Sequence, residues 1–289
     1  MQAVVIVRLS VVPGIGYSLG RDGLGAPGSA HPKLADPMPV APLEPPADFL
    51  AAAESLGIAF DPGDVERLGR YLALLLEANR THNLTAITDL HEAWHRHILD
   101  ALTLVPFIAE MLASMPQERP APGAQRLRLI DIGSGGGVPG IPLAIVLPEV
   151  HVTLLEATGK KAQFLARAVA DLGLSNADVV NDRAERVGHD PAHRARYHAA
   201  IARAVGHLAV VAELALPLIK PRGLVLAVKG AKADQELAEA AGALALLKAH
   251  HLLTQQTPTG RIIVLRKDAA TPRAYPRRDG EPKRKPLGL

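Results

Sequence analysis

The chain has 289 residues, with 32 Lys or Arg against 29 Asp or Glu and a formal net charge of +3. That length buries a full core and leaves room for a small accessory unit, while the absence of cysteine excludes disulfides, thiolate metal sites and a cysteine nucleophile. The histidines are dispersed and no metal site is expected. Arg8, Pro13 and Arg21 interrupt the apolar stretches near the start, so neither a secretion signal nor a membrane span is expected, and a cytoplasmic monomer is the reading.

Residues 1–46 are rich in Gly and Pro without sustained periodicity and read as a loose extension. A helical cap is expected over 47–115. Its first clear helix follows Asp61-Pro62-Gly63-Asp64, with a proline in the first turn and Val65, Leu68, Leu72, Leu75 and Leu76 on one side. Asn79 to Thr85 break it. Asp89-Leu90-His91-Glu92 form a capping box for a second helix carrying Trp94, Ile98, Leu102 and Val105. His97 and Asp100, three apart on that helix, reach one face, where they orient one another or bond to the loop beneath. Pro116, Pro120, Pro122 and Gly123 mark a linker over 116–126.

From 127 to 268 strands alternate with helices. Strands are expected at 127–132, 151–156, 177–181, 197–202, 223–229 and 261–266, with a further one near 251–256. Helices are expected near 158–171, 207–219 and 233–246. The fold class is therefore α/β: a doubly wound, mostly parallel, seven-stranded Rossmann-like sheet with an antiparallel final pair and a ligand at the strand ends.

The run Leu127 to Pro142 sends the first strand into a glycine-dense loop and then a helix, with Gly133, Gly135 and Gly137 removing Cβ atoms that would hold a ligand off the backbone. The next strand ends at Glu156, 25 positions after Asp131, where a carboxylate accepts the hydroxyl protons of a ribose. This spacing leaves NAD and S-adenosylmethionine both open. The loop favours the second, because Asp131 would repel a pyrophosphate and attract a ligand bearing ammonium and sulfonium charges.

Residues 261–289 hold nine Lys or Arg against three acids, a net of +6 on a remainder of −3. The basic tail at 269–289, with Arg273, Arg277 and Arg278 around Tyr275, reads as a clamp on an RNA backbone. Lys229, at the end of the fifth strand, is assigned to a substrate phosphate or carbonyl.

Asn83-Leu84-Thr85, Arg96-His97-Ile98-Leu99-Asp100, Asp131 to Pro142, Leu155-Glu156 with Lys160-Lys161 and Phe164-Leu165, Ala184-Glu185, Arg203-Ala204 and Lys229-Gly230 occur in that order. In these pieces the chain resembles the bacterial ribosomal RNA small-subunit methyltransferase G family, also called glucose-inhibited division protein B, which methylates guanine N7 in 16S ribosomal RNA. The resemblance implies S-adenosylmethionine as cofactor and 16S ribosomal RNA or the small ribosomal subunit as partner. It implies that Gly133 and Val138 touch the cofactor, that Glu156 and Ala157 meet its ribose, that Ala184 and Glu185 border the adenine, and that Arg203 lies on the cofactor side. The chain departs from the family at Ala101, usually serine, and at Val205, often aromatic. Guanine N7 offers a lone pair and has no proton to lose, so no catalytic acid or base is expected. The alternatives are a methyltransferase acting on a small molecule or protein, and a ribosome-binding module without transfer activity.

Overall fold

A computed structural model describes residues 40–115 and 127–289. Most of the extension expected over 1–46 and all of the linker expected over 116–126 lie outside the described residues. Among the described residues seven strands form one sheet: β1 (Leu127–Ile132), β2 (Val150–Leu155), β3 (Ala177–Val180), β4 (Tyr197–Arg203), β5 (Ile219–Lys229), β6 (Ala249–Thr257) and β7 (Gly260–Lys267). Their order is β3-β2-β1-β4-β5-β7-β6. The first five strands pair in parallel, and β7 runs antiparallel to both of its neighbours.

Strands buried on both faces read as continuous apolar runs, and successive side chains point to opposite faces. Leu127 and Leu129 of β1 accordingly enter one core, and Ile130 and Ile132 the other. The first core is shared with the cap: Phe49, Leu68, Leu72, Trp94, Ile98 and Leu102 pack with Leu129, Ile141, Val152 and Leu154. The second is closed by α9 (Leu208–Ala215) and α11 (Ala241–Leu247). Sheet and cap are therefore joined by one layer of buried side chains.

The cap comprises α1 (Ala47–Ser55), α2 (Asp64–His82), α3 (Leu90–Ala93), a π-helical turn (Trp94–Leu99), α4 (Asp100–Leu102) and α5 (Val105–Ala113). Pro62 precedes α2 rather than lying in its first turn: Gly63 is the N-cap at φ 89°, and Asp64 Oδ2 accepts from the Asp61 N–H. Asn79 Oδ1 accepts from the N–H groups of Leu84 and Thr85, which ends α2 and sets the following loop. Asp89 does cap the next helix, accepting from the Glu92 N–H, but that helix is broken by the π turn and stops before Val105.

On the sheet, the helix expected over 207–219 ends at Ala215, just before Pro217, which has no N–H to continue it. The helix expected over 233–246 divides at Ala240 into α10 (Ala233–Glu239) and α11. No helix among the described residues is long and apolar enough to cross a membrane.

The C-terminal segment departs most from its reading as a basic clamp. The Arg277 guanidinium forks onto Glu213 at 2.9 and 2.7 Å, and the Arg277 N–H reaches the same carboxylate at 2.8 Å. Glu213 is fully buried in α9. Arg194 donates to the carbonyls of Thr271, Pro272 and Tyr275, the Gly280 N–H donates to Glu185, and Leu287 enters the second core. Lys267 is buried too, its Nζ donating to the Leu216 and Ile219 carbonyls, and burial pulls its ammonium down to about 8. Arg277 is thus removed from the set of RNA-facing residues, because its charge neutralises a buried acid. Arg273 and Arg278 remain exposed.

Removing one member of a buried charge pair leaves the other desolvated and alone. Arg277→Ala is therefore expected to lower stability by about 3–5 kcal/mol, whereas Arg273→Ala stays within about 0.5 kcal/mol. Urea unfolding of both variants checks this, with equal, small losses as the contrary result.

Candidate cofactor and substrate site

The sheet register brings the site together. Ile132 lies opposite Leu155 on one side and Ala202 on the other, and Arg203 lies opposite Val228. Gly133, Glu156, Arg203 and Lys229 therefore cluster at the carboxyl ends of β1, β2, β4 and β5. The strand order reverses between β1 and β4, the point at which open α/β sheets bind their ligands.

The loop between β1 and α6 (Gly140–Val146) directs its backbone donors into the protein. The N–H groups of Gly133 and Ser134 both reach the Leu155 carbonyl, at 2.8 and 3.1 Å, and that of Gly137 reaches Ser134. The Gly135 N–H donates to Glu156 Oε2 at 2.9 Å, and the Gly140 N–H to Asp131 Oδ2 at 3.1 Å. A pyrophosphate site needs such donors aimed at the ligand. Here they meet carbonyls and carboxylates instead, which suits a cationic ligand.

The glycines divide by role. Gly133 and Gly135 sit at φ 69° and 56°; a Cβ at the exposed Gly133 would press on Val205 Cγ2 at 3.3 Å, and one at Gly135 would meet nothing nearer than 3.8 Å. Gly137 is buried, and a Cβ there would lie 2.5 Å from Ile141 Cδ1, so this glycine serves helix-to-loop packing rather than ligand approach.

Asp131 is also placed differently from the sequence reading. It is 1% exposed, beneath the loop rather than open to a ligand, and its Oδ1 has no hydrogen-bond partner among the described residues. Burial raises its carboxyl to about 7, against the opposing pull of the Gly140 N–H, Ser134 and Arg203. Glu156, at the end of β2, is also buried, at 7% exposure, and accepts from Gly135 and, at 2.7 Å, from the Thr158 N–H. Each carboxylate oxygen keeps a further lone pair for a ribose hydroxyl. Ala157 beside it is exposed, and Val138 is half-buried. The unpartnered Asp131 oxygen, the exposed Gly133 backbone and the Glu156 carboxylate fit a cofactor carrying ammonium and ribose groups.

The cap closes over this edge through residues whose partners are not visible in sequence. The Tyr71 hydroxyl, buried in α2, donates to the Gly136 carbonyl at 2.7 Å. Asp100 does not bond to His97: it pairs with Arg203 at 3.1 Å and accepts from Thr259 at the β6–β7 turn. His97 Nε2 lies 2.8 Å from Thr85 Oγ1. Burial, helped by the nearby Arg203, pushes the His97 imidazole down to about 4 and keeps it neutral.

Beside Arg203 lies a cleft of about 370 Å³ lined by Arg96, Asp100, Ala204, Lys229, Glu236 and Thr259 among others. Lys229 is turned inward, its Nζ bonded to the Gly206 carbonyl and, at 2.7 Å, to Glu236. Its charge is neutralised at the wall of the cleft. Ala184 and Glu185 are buried in α8 (Ala184–Val187), with the Glu185 carboxylate accepting from Gly280. Next to them a second, shallow cleft of about 680 Å³ is edged by Arg186, His189, Arg273 and Arg278.

Asp131 and His97 impose opposite pH slopes. A carboxyl raised by folding stabilises below its unfolded value near 3.9, and that stability is lost as pH rises through about 7. A histidine lowered by folding stabilises above its unfolded value near 6.5, and that stability is lost as pH falls through about 4. The two oppose each other in the wild type. Relative to it, Asp131→Asn should make stability rise by about 2–4 kcal/mol across that window, and His97→Asn should make it fall by a similar amount. Chemical unfolding at several pH values measures both slopes, and parallel curves for all three proteins would contradict the assignment.

Comparison with known proteins agrees with this geometry. The family model described as rRNA small subunit methyltransferase G matches residues 64–263. A ribosomal RNA small subunit methyltransferase G from Sorangium cellulosum is 46% identical over 237 residues, covering 82% of this chain and 94% of the relative. Its counterpart from Pelotomaculum thermopropionicum is 40% identical, covering 81% and 95% respectively. With the glycine loop, Glu156, Arg203 and the Asp100 segment all inside the matched region, the chain belongs to the rRNA small subunit methyltransferase G family.

Proposed function

We propose that the protein transfers a methyl group from S-adenosylmethionine to N7 of a guanine in 16S ribosomal RNA. The observation that carries this reading is the loop after β1: the N–H groups of Gly133, Ser134, Gly135 and Gly140 are committed to Leu155, Glu156 and Asp131, and the Glu156 carboxylate lies beside it. The cofactor supplies a methyl group on a positively charged sulfur. Glu156 and Ala157 hold its ribose, Gly133, Gly135 and Val138 lie along its body, and Asp131 acts from beneath the loop. Ala184 and Glu185 border the adenine, with Glu185 tied to the C-terminal segment.

The target base enters the cleft beside Arg203. Its N7 lone pair is already free, so the residues have to place the base rather than remove a proton. Positive charge develops on the purine during transfer. The pairing of Lys229 with Glu236, and of Arg203 with Asp100, keeps bare cations away from it. Lys229 then serves as a neutralised wall, with a phosphate or carbonyl contact available once Glu236 lets go. Arg96, Arg273 and Arg278 are exposed and meet the RNA backbone. The target lies in a loop, where a base leaves its stack at least cost.

The test is to incubate the purified protein and S-adenosylmethionine with unmodified small-subunit RNA and locate 7-methylguanosine by mass analysis. One modified loop guanine is expected. Arg273→Ala with Arg278→Ala should weaken RNA binding and reduce its salt slope by about one for each phosphate no longer neutralised. Methyl transfer to protein or small molecules alone, with none to RNA, would overturn the reading.

A further inference from the structure

We propose that Asp48, His91 and His95 form a divalent transition-metal site of the zinc class on the surface of the cap. Folding assembles what dispersed histidines did not announce. His91-Glu92-Ala93-Trp94-His95 has the spacing that puts two imidazoles on one face of a helix. Asp48 comes from the first turn of α1 and lies against both rings.

The distances match an ion better than a hydrogen-bonded pair. Asp48 Oδ2 is 3.3 Å from His91 Nε2 and 3.3 Å from His95 Nε2. Nitrogen and oxygen ligands held about 2.0–2.1 Å from a tetrahedral ion stand about 3.3–3.4 Å apart, whereas an N–H···O bond spans about 2.7–3.2 Å. The two rings are stacked with centroids 4.4 Å apart, and all three donor atoms lie within 4.8 Å of one another. His95 Nε2 is buried and lacks a hydrogen-bond partner among the described residues, an orphan donor atom beside Asp48 Oδ2.

The site is also held in place before any ion arrives. Phe49, next to Asp48, packs on Trp94, next to His95, with ring centroids 4.6 Å apart. This fixes the α1 ligand against the two histidines. Asp48 and His91 side chains are each 60% exposed, so an ion can enter and a fourth position faces solvent. A bound ion would clamp α1 to the helix that runs on into Arg96, His97 and Asp100.

Untagged full-length protein is titrated with Zn²⁺ and with Co²⁺, then passed through a desalting column and assayed for metal. One ion per chain is expected, with a visible Co²⁺ spectrum and a higher unfolding temperature in Zn²⁺. The double variant His91→Ala with His95→Ala should lose all three signals. Asp48→Asn should weaken binding by at least about 10-fold, and His251→Ala, distant in sequence and exposed, should change nothing. A circular dichroism spectrum matching wild type establishes that each variant is folded. No retained metal on wild type, or equal retention on the double variant, would overturn the proposal.

Discussion

The site depends on a loop that satisfies its own backbone. After β1 the chain must turn from a strand into α6 within a few residues, and the turn holds because Leu155, Glu156 and Asp131 take up the N–H groups of Gly133, Ser134, Gly135 and Gly140. Two consequences follow. The loop has these donors turned away from any phosphate, and the acids that hold it lie under and beside the space where a ligand would rest. The same close packing explains Gly140, whose Cβ position would fall 2.3 Å from Leu154 Cδ2 and 2.8 Å from Asp131 Oδ2. A side chain there would push α6 off the sheet and pull the loop from its acceptor.

The cap extends this constraint to the substrate side. Tyr71 fixes the loop from above through Gly136, and Asp100 fixes Arg203 and the β6–β7 turn together. The carboxyl edge of the sheet is thus tied at three strands, β1, β4 and β7, by residues of two cap helices. Because the cap and one face of the sheet share a single core, a shift of α2 or α4 would be felt at the glycine loop. A π turn, here carrying Arg96 and His97, is a frequent mark of a functional position in a helix. It rotates Arg96 outward to the cleft while His97 stays in the core.

Much of this was legible in the chain. The central strands β1, β2 and β4 are buried along nearly their whole length and announce themselves as apolar runs, and the glycine loop followed by Glu156 marks the ligand edge without any structure. What was not legible are long-range partners. A charge count makes residues 269–289 a basic tail, yet it cannot register that Glu213, 64 positions before Arg277, is buried and waiting for that guanidinium. Asp131 reads as an acid facing the ligand, because sequence does not say which way a strand-end side chain turns. Tyr71 and Thr259 sit in segments that read as core helix and turn, so nothing singled them out. β6 is largely exposed, which blurs its pattern, and it extends beyond the expected 251–256 at both ends.

The loop is built for a cationic nucleoside cofactor and not a dinucleotide. Isothermal titration of the same purified protein with S-adenosylmethionine and with NAD separates the two. Saturable binding of S-adenosylmethionine at one site per chain, lost in Gly135→Val, is expected, with no heat from NAD. Tight NAD binding with no response to S-adenosylmethionine would overturn this reading of the loop.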